Sequence, residues 1–217
     1  MSEYAPSAYF DLSLTSHQRL FEGVECVWKV IPEIAKYIKT LSLGKLESEI
    51  PEGVTLVNPE LIFIGEGSVV EPGAYIQGPC FIGRDCKIRH GAYIRGNFIA
   101  GDRCVIGHTT EIKNAFFFDD VHAAHFNYVG DSILGNRVNL GAGTRLANLK
   151  LTKSEVKIFS GGEVISTGLN KLGAILGDDV QTGCNAVTNP GTLMGKKSAC
   201  YPCVNVGGVI PPGKVVR

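Results

Sequence analysis

Large apolar residues recur every six positions through the middle of this chain: Ile64, Val70, Ile76, Ile82, Ile88, Ile94, Ala100, Ile106, Ile112, Phe118 and Ala124. Four residues after each comes a second, usually smaller one: Ser68, Ala74, Cys80, Cys86, Ala92, Phe98, Cys104, Thr110 and Phe116. Gly65, Gly83, Gly101 and Gly107 directly follow the large residue. This hexapeptide period is the signature of a parallel β-helix. Each six-residue face turns a corner, and the narrow interior admits one large and one small side chain per face. The phase lapses, then returns with Leu134, Leu140 and Leu146 and again with Leu176, Thr182, Thr188, Met194, Cys200 and Val206. Residues 147–175, with Lys150, Lys153, Glu155, Lys157 and the pair Gly161-Gly162, read as a loop extruded from the coils. Long loops of this kind are uncommon unless functional.

Upstream the pattern differs. Leu20, Val24, Val27, Ile31, Ile34, Ile38 and Leu41 follow alternating steps of four and three, one apolar stripe on a helix. Thr15 with Gln18 has the form of a capping box, and Pro32 is expected to kink the helix near Ile31. The predicted organisation is a helical segment over 1–57, packed on a mainly β solenoid over 58–217. A self-associating coiled coil is the sharper alternative, against which Pro32 weighs.

Composition narrows the function. Among 217 residues, 21 Lys and Arg balance 21 Asp and Glu, so the charge argues for neither a nucleic-acid partner nor a membrane surface. Any anion site must be local. The 27 glycines and single tryptophan, Trp28, suit a turn-rich β protein. The start lacks a basic n-region, and no stretch reaches the roughly 20 apolar residues of a membrane span, so a cytoplasmic protein with reduced thiols is expected. Cys80, Cys86 and Cys104 fall on the small inward position and read as packing residues.

Candidate chemistry follows from the winding. Three hexapeptides make one coil, so residues 18 apart stack at the strand spacing of about 4.8 Å. Arg95 and Lys113 are so related, and each follows a large inward residue. Two stacked cations repel unless an anion lies between them, and both side chains recognise phosphate. The alternative is that both bend into water. His125 lies 12 residues beyond Lys113, at an equivalent position on another face. A trimer would bring such a histidine to a neighbour's cation pair.

The segment His125-Phe126-Asn127-Tyr128-Val129-Gly130-Asp131 is followed by Arg137-Val138-Asn139-Leu140-Gly141-Ala142-Gly143-Thr144, then by Ala147-Asn148. With Glu111-Ile112-Lys113 and Arg95-Gly96 upstream, it resembles the acetyltransferase domain of the bifunctional bacterial enzyme that makes UDP-N-acetylglucosamine. That domain belongs to the hexapeptide-repeat acyltransferases and acetylates glucosamine-1-phosphate. The resemblance covers roughly residues 60–217 and is specific from Arg95 to Asn148. It implies a left-handed β-helix, acetyl-CoA as co-substrate, no metal requirement and a homotrimer with sites between subunits. It makes His125 the general base and lets Glu111 orient it. Arg95 and Lys113 would bind the sugar phosphate, Tyr128 and Asn139 the sugar. Asn148 would lie near the sugar and the acetyl group, and Ala142, Cys184 and, more weakly, Pro202 would contact the acetyl-CoA arm.

Some residues depart from that pattern. Leu149 stands where an aromatic residue usually follows the asparagine, and the 147–175 insertion replaces a short connection. Residues 1–57 hold no glycine-rich nucleotide loop, so no uridylyltransferase activity is expected. The expected function is N-acetylation of an amino-sugar phosphate, glucosamine-1-phosphate foremost. The alternatives are the same chemistry on a nucleotide-linked sugar, or a non-catalytic trimeric partner of a separate nucleotidyltransferase. A zinc site from His108, His122 and His125 fits poorly, since His122 is expected to point inward.

Overall fold

A computed structural model describes residues 3–217. Parallel strands stack on three faces to form a left-handed β-helix of about 10 turns. The first face carries Lys45–Leu46, Ile62–Ile64, Cys80–Ile82 and Phe98–Ala100 and ends at Val209–Ile210. The second runs from Val69–Val70 through Lys87–Ile88, Val105–His108, His122–His125 and Asn139–Leu140 to Val215–Val216. The third runs from Thr55–Val57 through Tyr75–Gln77, Tyr93–Ile94 and Arg145–Leu146 to Asn205–Val206. Strands Glu111–Phe117 and Tyr128–Leu134 round a corner and serve the third face, then the first. Stacking already includes Lys45–Leu46 and Thr55–Val57, ahead of residue 58.

The expected 18-residue register holds in the lower coils, with Ile64 opposite Ile82, Val70 opposite Ile88 and Ile76 opposite Ile94. The small inward side chains also satisfy the corners. The Cys86 thiol donates to the Gly101 carbonyl at 3.2 Å, the Cys104 thiol to that of Phe118 at 3.1 Å and the Thr110 hydroxyl to that of Ala123 at 3.0 Å. Burial pushes the Cys104 thiol well up, as suits a packing residue. At one corner Asp85, Arg103, Asp120, Arg137, Asp179 and Lys197 all adopt left-handed backbone, with φ from 54° to 63°.

The register then loses one residue. Ala100 faces Phe117, Ile106 faces Ala123 and Ile112 faces Val129. Phe117, Ala123 and Ala115 therefore fill the interior, in place of the expected Phe118, Ala124 and Phe116. The same slip turns His122 outward, into an exposed position.

Phe116 and Phe118 belong to a second core on the outside of the first face, with Ile99, Ile133, Ile175 and Leu193. The N-terminal segment covers this face with Phe10, Phe21, Trp28, Ile31, Ile34 and Ile38. Its apolar stripe is buried as expected, but not on one helix. The chain forms short turns, mostly 3₁₀: Pro6–Tyr9, Gln18–Phe21, Val27–Glu33, Ile34–Tyr37 and Ile38–Thr40. Gly23, at φ 71°, interrupts the stripe. The capping box does not form, because the Thr15 hydroxyl accepts from the His17 N–H at 3.1 Å. The stripe is consumed by the solenoid, which leaves no seam for a coiled coil.

The extruded segment is likewise structured. Lys157–Ser160 and Glu163–Ser166 form an antiparallel hairpin, and Val156, Ile158 and Leu172 join the outer core. No helix among the described residues is long and apolar enough to cross a membrane.

Candidate functional site

The strands place the candidate residues on two different edges. On the third face, the residue after each inward side chain falls on one line: Arg95, Lys113, Gly130, Ala147, Asn189 and Gly207. Arg95 and Lys113 thus occupy neighbouring rungs, as the winding predicted. Each, however, already faces a carboxylate. The Arg95 guanidinium donates to Glu111 at 2.7 Å, and the Lys113 ammonium lies 3.6 Å from Asp131. Glu111 raises the Arg95 pKa and engages that cation rather than His125. Arg95 also lies over the Tyr93 ring at 5.8 Å, within cation–π range.

Asp131 is the hub of this edge. It is buried, and one oxygen accepts from the Asn114 amide at 2.8 Å. The other accepts from the Asn148 amide and faces Lys113. The Tyr128 hydroxyl donates to the Asn148 carbonyl oxygen at 3.4 Å, and burial foremost raises the Tyr128 pKa. Glycine is required at 130. A Cβ there would meet the Asn148 amide nitrogen at 2.6 Å and the Tyr128 hydroxyl at 2.8 Å. Its absence leaves room for the two side chains to meet. The edge therefore combines two cations, a phenol, carboxamides and acids, a donor–acceptor set suited to a hydroxylated, phosphorylated molecule.

His125 ends its strand at the corner between the second and third faces and is exposed. Its N–H donates to the Asn127 side chain at 3.2 Å, and its carbonyl accepts from Gly143 at 2.9 Å. Ala142, Cys184 and Pro202 rise above it at successive turns of this corner. The Asn185 N–H bonds the Ala142 carbonyl at 2.8 Å, and the Cys203 N–H bonds that of Cys184 at 2.9 Å. Cys184 and Pro202 are exposed, so the column is open along its length. Asn139 lies on the second face, opposite His122 and Gln181. Arg95, Glu111, Lys113, Tyr128 and Asn148 thus form one group, and His125, Asn139, Ala142, Cys184 and Pro202 lie apart from it.

Comparison with known proteins gives the family of the chain. Residues 76–199 match the family described as GMPPB C-terminal domain, more than half of the chain. The chain belongs to that family. The matched span contains every candidate residue except Pro202. The chain is also similar to a "Bifunctional sugar-1-phosphate nucleotidylyltransferase/acetyltransferase" of Sulfurisphaera tokodaii, at 46% identity over 78 residues. That stretch is 36% of this chain and 20% of the relative. A "Bifunctional protein GlmU" of Methanococcus maripaludis is 37% identical over 81 residues, 37% of this chain and 20% of the relative. The match thus spans about a fifth of the length of these curated relatives. Among solved structures, a UDP-N-acetylglucosamine acyltransferase of Francisella novicida gives a TM-score of 0.55 at 14% identity. It covers 77% of this chain and 64% of the other, a likeness of fold.

Two features of this family member were not singled out by sequence reasoning. The first is Asp131, at the end of the His125–Asp131 segment, whose role is set by Asn114 and Asn148 from neighbouring coils. The second is a cleft of about 740 Å³ beneath the hairpin, bordered by Ala147, Leu149, Lys157, Phe159, Asn189 and Gly208. It is created by the inserted segment, which has no repeat to read.

Proposed function

We propose that this chain is an acyl-CoA-dependent N-acyltransferase that acetylates an amino-sugar phosphate, glucosamine-1-phosphate being the leading acceptor. One observation carries the reading: the exposed imidazole with its open column, and the cation–phenol–carboxamide cluster, lie on different edges of one chain. Three copies packed around an axis would join one edge to the neighbour's other edge. Homotrimeric assembly, with sites between subunits, is part of the proposal. The similarity to the Sulfurisphaera tokodaii nucleotidylyltransferase/acetyltransferase supports it.

In this reading the acyl-CoA arm lies along Ala142, Cys184 and Pro202, with its thioester near His125. The acceptor's phosphate meets Arg95 and Lys113, drawing them from Glu111 and Asp131. Tyr128 and Asn148 hold the sugar, with Asn139 contributing from the second face. The sugar amine attacks the thioester carbonyl while His125 takes its proton. A backbone N–H beside the thioester oxygen stabilises the tetrahedral oxyanion. Collapse forms the amide and expels the coenzyme A thiolate, which recovers a proton.

The test is acetyl-CoA consumption against a panel of amino-sugar phosphates, glucosamine-1-phosphate first. His125→Ala is expected to lower turnover by about 10²–10⁴-fold, the usual worth of a general base, while leaving oligomer and acceptor binding in place. Near-normal turnover in this variant removes the base assignment. A non-catalytic partner of a nucleotidyltransferase is the second reading, favoured by the existing neutralisation of Arg95 and Lys113. Failure of every acceptor in the panel would select it.

A further inference from the structure

The cleft under the hairpin continues the line on which the candidate cations lie. Ala147, Asn189 and Gly207 border it and occupy the rungs above Lys113 and Gly130. From Lys113 to Asn189 is three strand spacings, about 14 Å. The polar cluster of Tyr128, Asn148 and Asp131 lies between them. Ala147 and Leu149, which flank Asn148 in the chain, border the cleft and set it next to that cluster.

The lining has an unusual composition for a surface. Leu149, Leu151 and Phe159 present apolar side chains to it, and Phe159 is 62% exposed. The charged groups on the wall are Lys150 and Lys157, with no acid among them. Neither lysine has a salt-bridge partner among the described residues. Lys150 donates to the Glu155 carbonyl at 3.0 Å. The Glu155 side chain itself is held by Ser166 and by the Gly168 N–H. The lining itself thus carries two cations and no acid, with the Glu155 carboxylate, which interacts with Lys157, just outside it. Asn189 borders the cleft, and its amide and that of Asn205 bond each other at 2.9 and 3.2 Å, which leaves the Asn189 amide a second N–H for an edge of a ring. Gly208, at φ 73°, keeps the wall close: a Cβ there would meet the Phe159 carbonyl oxygen at 2.8 Å.

Apolar side chains, two ammonium groups and a bordering carboxamide match the three parts of a nucleoside diphosphate. We infer that the cleft is a nucleoside-diphosphate subsite, with the base against Phe159, Leu149 and Leu151 and the diphosphate at Lys150 and Lys157. This rests on the acyltransferase reading for its purpose, because the sugar end of such a ligand would reach Asn148 and Tyr128. Two molecules carry this chemistry to the site: an acceptor whose amino sugar is nucleotide-linked, or the adenosine diphosphate end of the acyl donor.

The experiment is calorimetric titration of the full chain with UDP, GDP, dTDP and ADP, without acyl donor, followed by the same titrations with coenzyme A present. At least one nucleotide is expected to bind, and Lys157→Ala and Phe159→Ala, both on exposed side chains, should each weaken it about tenfold. Nucleotide binding that coenzyme A leaves unchanged assigns the cleft to the acceptor; competition assigns it to the donor. No binding of any of the four nucleotides or of coenzyme A, or binding that neither variant alters, overturns the subsite. The two proposals fail separately. Acetyl transfer to glucosamine-1-phosphate without nucleotide binding removes only the cleft. Nucleotide binding without transfer to any acceptor removes only the enzyme.

Discussion

His17 shows what burial does to one side chain. It lies where the N-terminal segment meets the first face, edge-on to Tyr37, Phe81 and Phe116. Its Nδ1 lies 3.1 Å from the Tyr37 hydroxyl, while Nε2 is buried without a partner among the described residues. Desolvation lowers its pKa to about 4, with Asp102 opposing. The folded value lies below the unfolded one, so between about pH 6.5 and 4 the unfolded chain binds the extra proton. Stability is then complete above the unfolded pKa and falls as pH drops to the folded one, by roughly 3 kcal/mol. Urea midpoints across pH 4–7 are expected to decline, and His17→Phe should flatten that decline relative to the parent. An equal slope in the variant would assign the effect to other groups. At this scale the candidate site was partly legible. The 18-residue spacing put Arg95 beside Lys113 and equally separates Lys113 from Asp131, but the Arg95–Glu111 pair, 16 residues apart, lies off that spacing.

At the scale of elements, the period predicted the coils well until residues 115–124. There Phe116, Phe117 and Phe118 follow one another, as do Ala123 and Ala124. At 117/118 and at 123/124, neighbours of the same type make a one-residue slip silent, while at 115/116 the slip exchanges an expected Phe116 for Ala115. The N-terminal stripe was silent in another way. Apolar spacing records which residues are buried, and a series of 3₁₀ turns can present the same set as one α-helix. The upper coils hold a testable defect. Thr188 points into the core between Leu146 and Val206, wholly buried, and its hydroxyl lacks a hydrogen-bond partner among the described residues. Removing a buried, unsatisfied hydroxyl should stabilise by about 1 kcal/mol or more. Thr188→Val is therefore expected to raise the melting temperature by about 2–4 °C in a chain of this size. An unchanged or lower value would point to a bound water at that hydroxyl.

For the whole molecule, the decisive matter is that the two groups of candidate residues lie on separate edges. If a site is made by two subunits, one chain lacking the base and another lacking the phosphate clamp should complement each other. Coexpressed His125→Ala and Lys113→Ala chains, assayed at low acceptor concentration, are expected to regain activity in about a quarter of all sites in a randomly assembled trimer population. Additive residual rates, or a chain that light scattering finds monomeric, would confine any site to one protomer.

The hairpin leaves the solenoid after Leu146 and returns at Ala174, yet Leu146 still stacks on Thr188 and Leu134 on Leu176. The coils above and below meet as though nothing intervened. That corner behaves as a socket. Whatever is plugged into it shapes one wall of the cleft, while the ladder beneath keeps its rungs. A change of ligand preference could therefore be achieved by exchanging a single peptide segment that keeps the apolar anchors Val156, Ile158 and Leu172, with the ladder and its distant corner column left untouched.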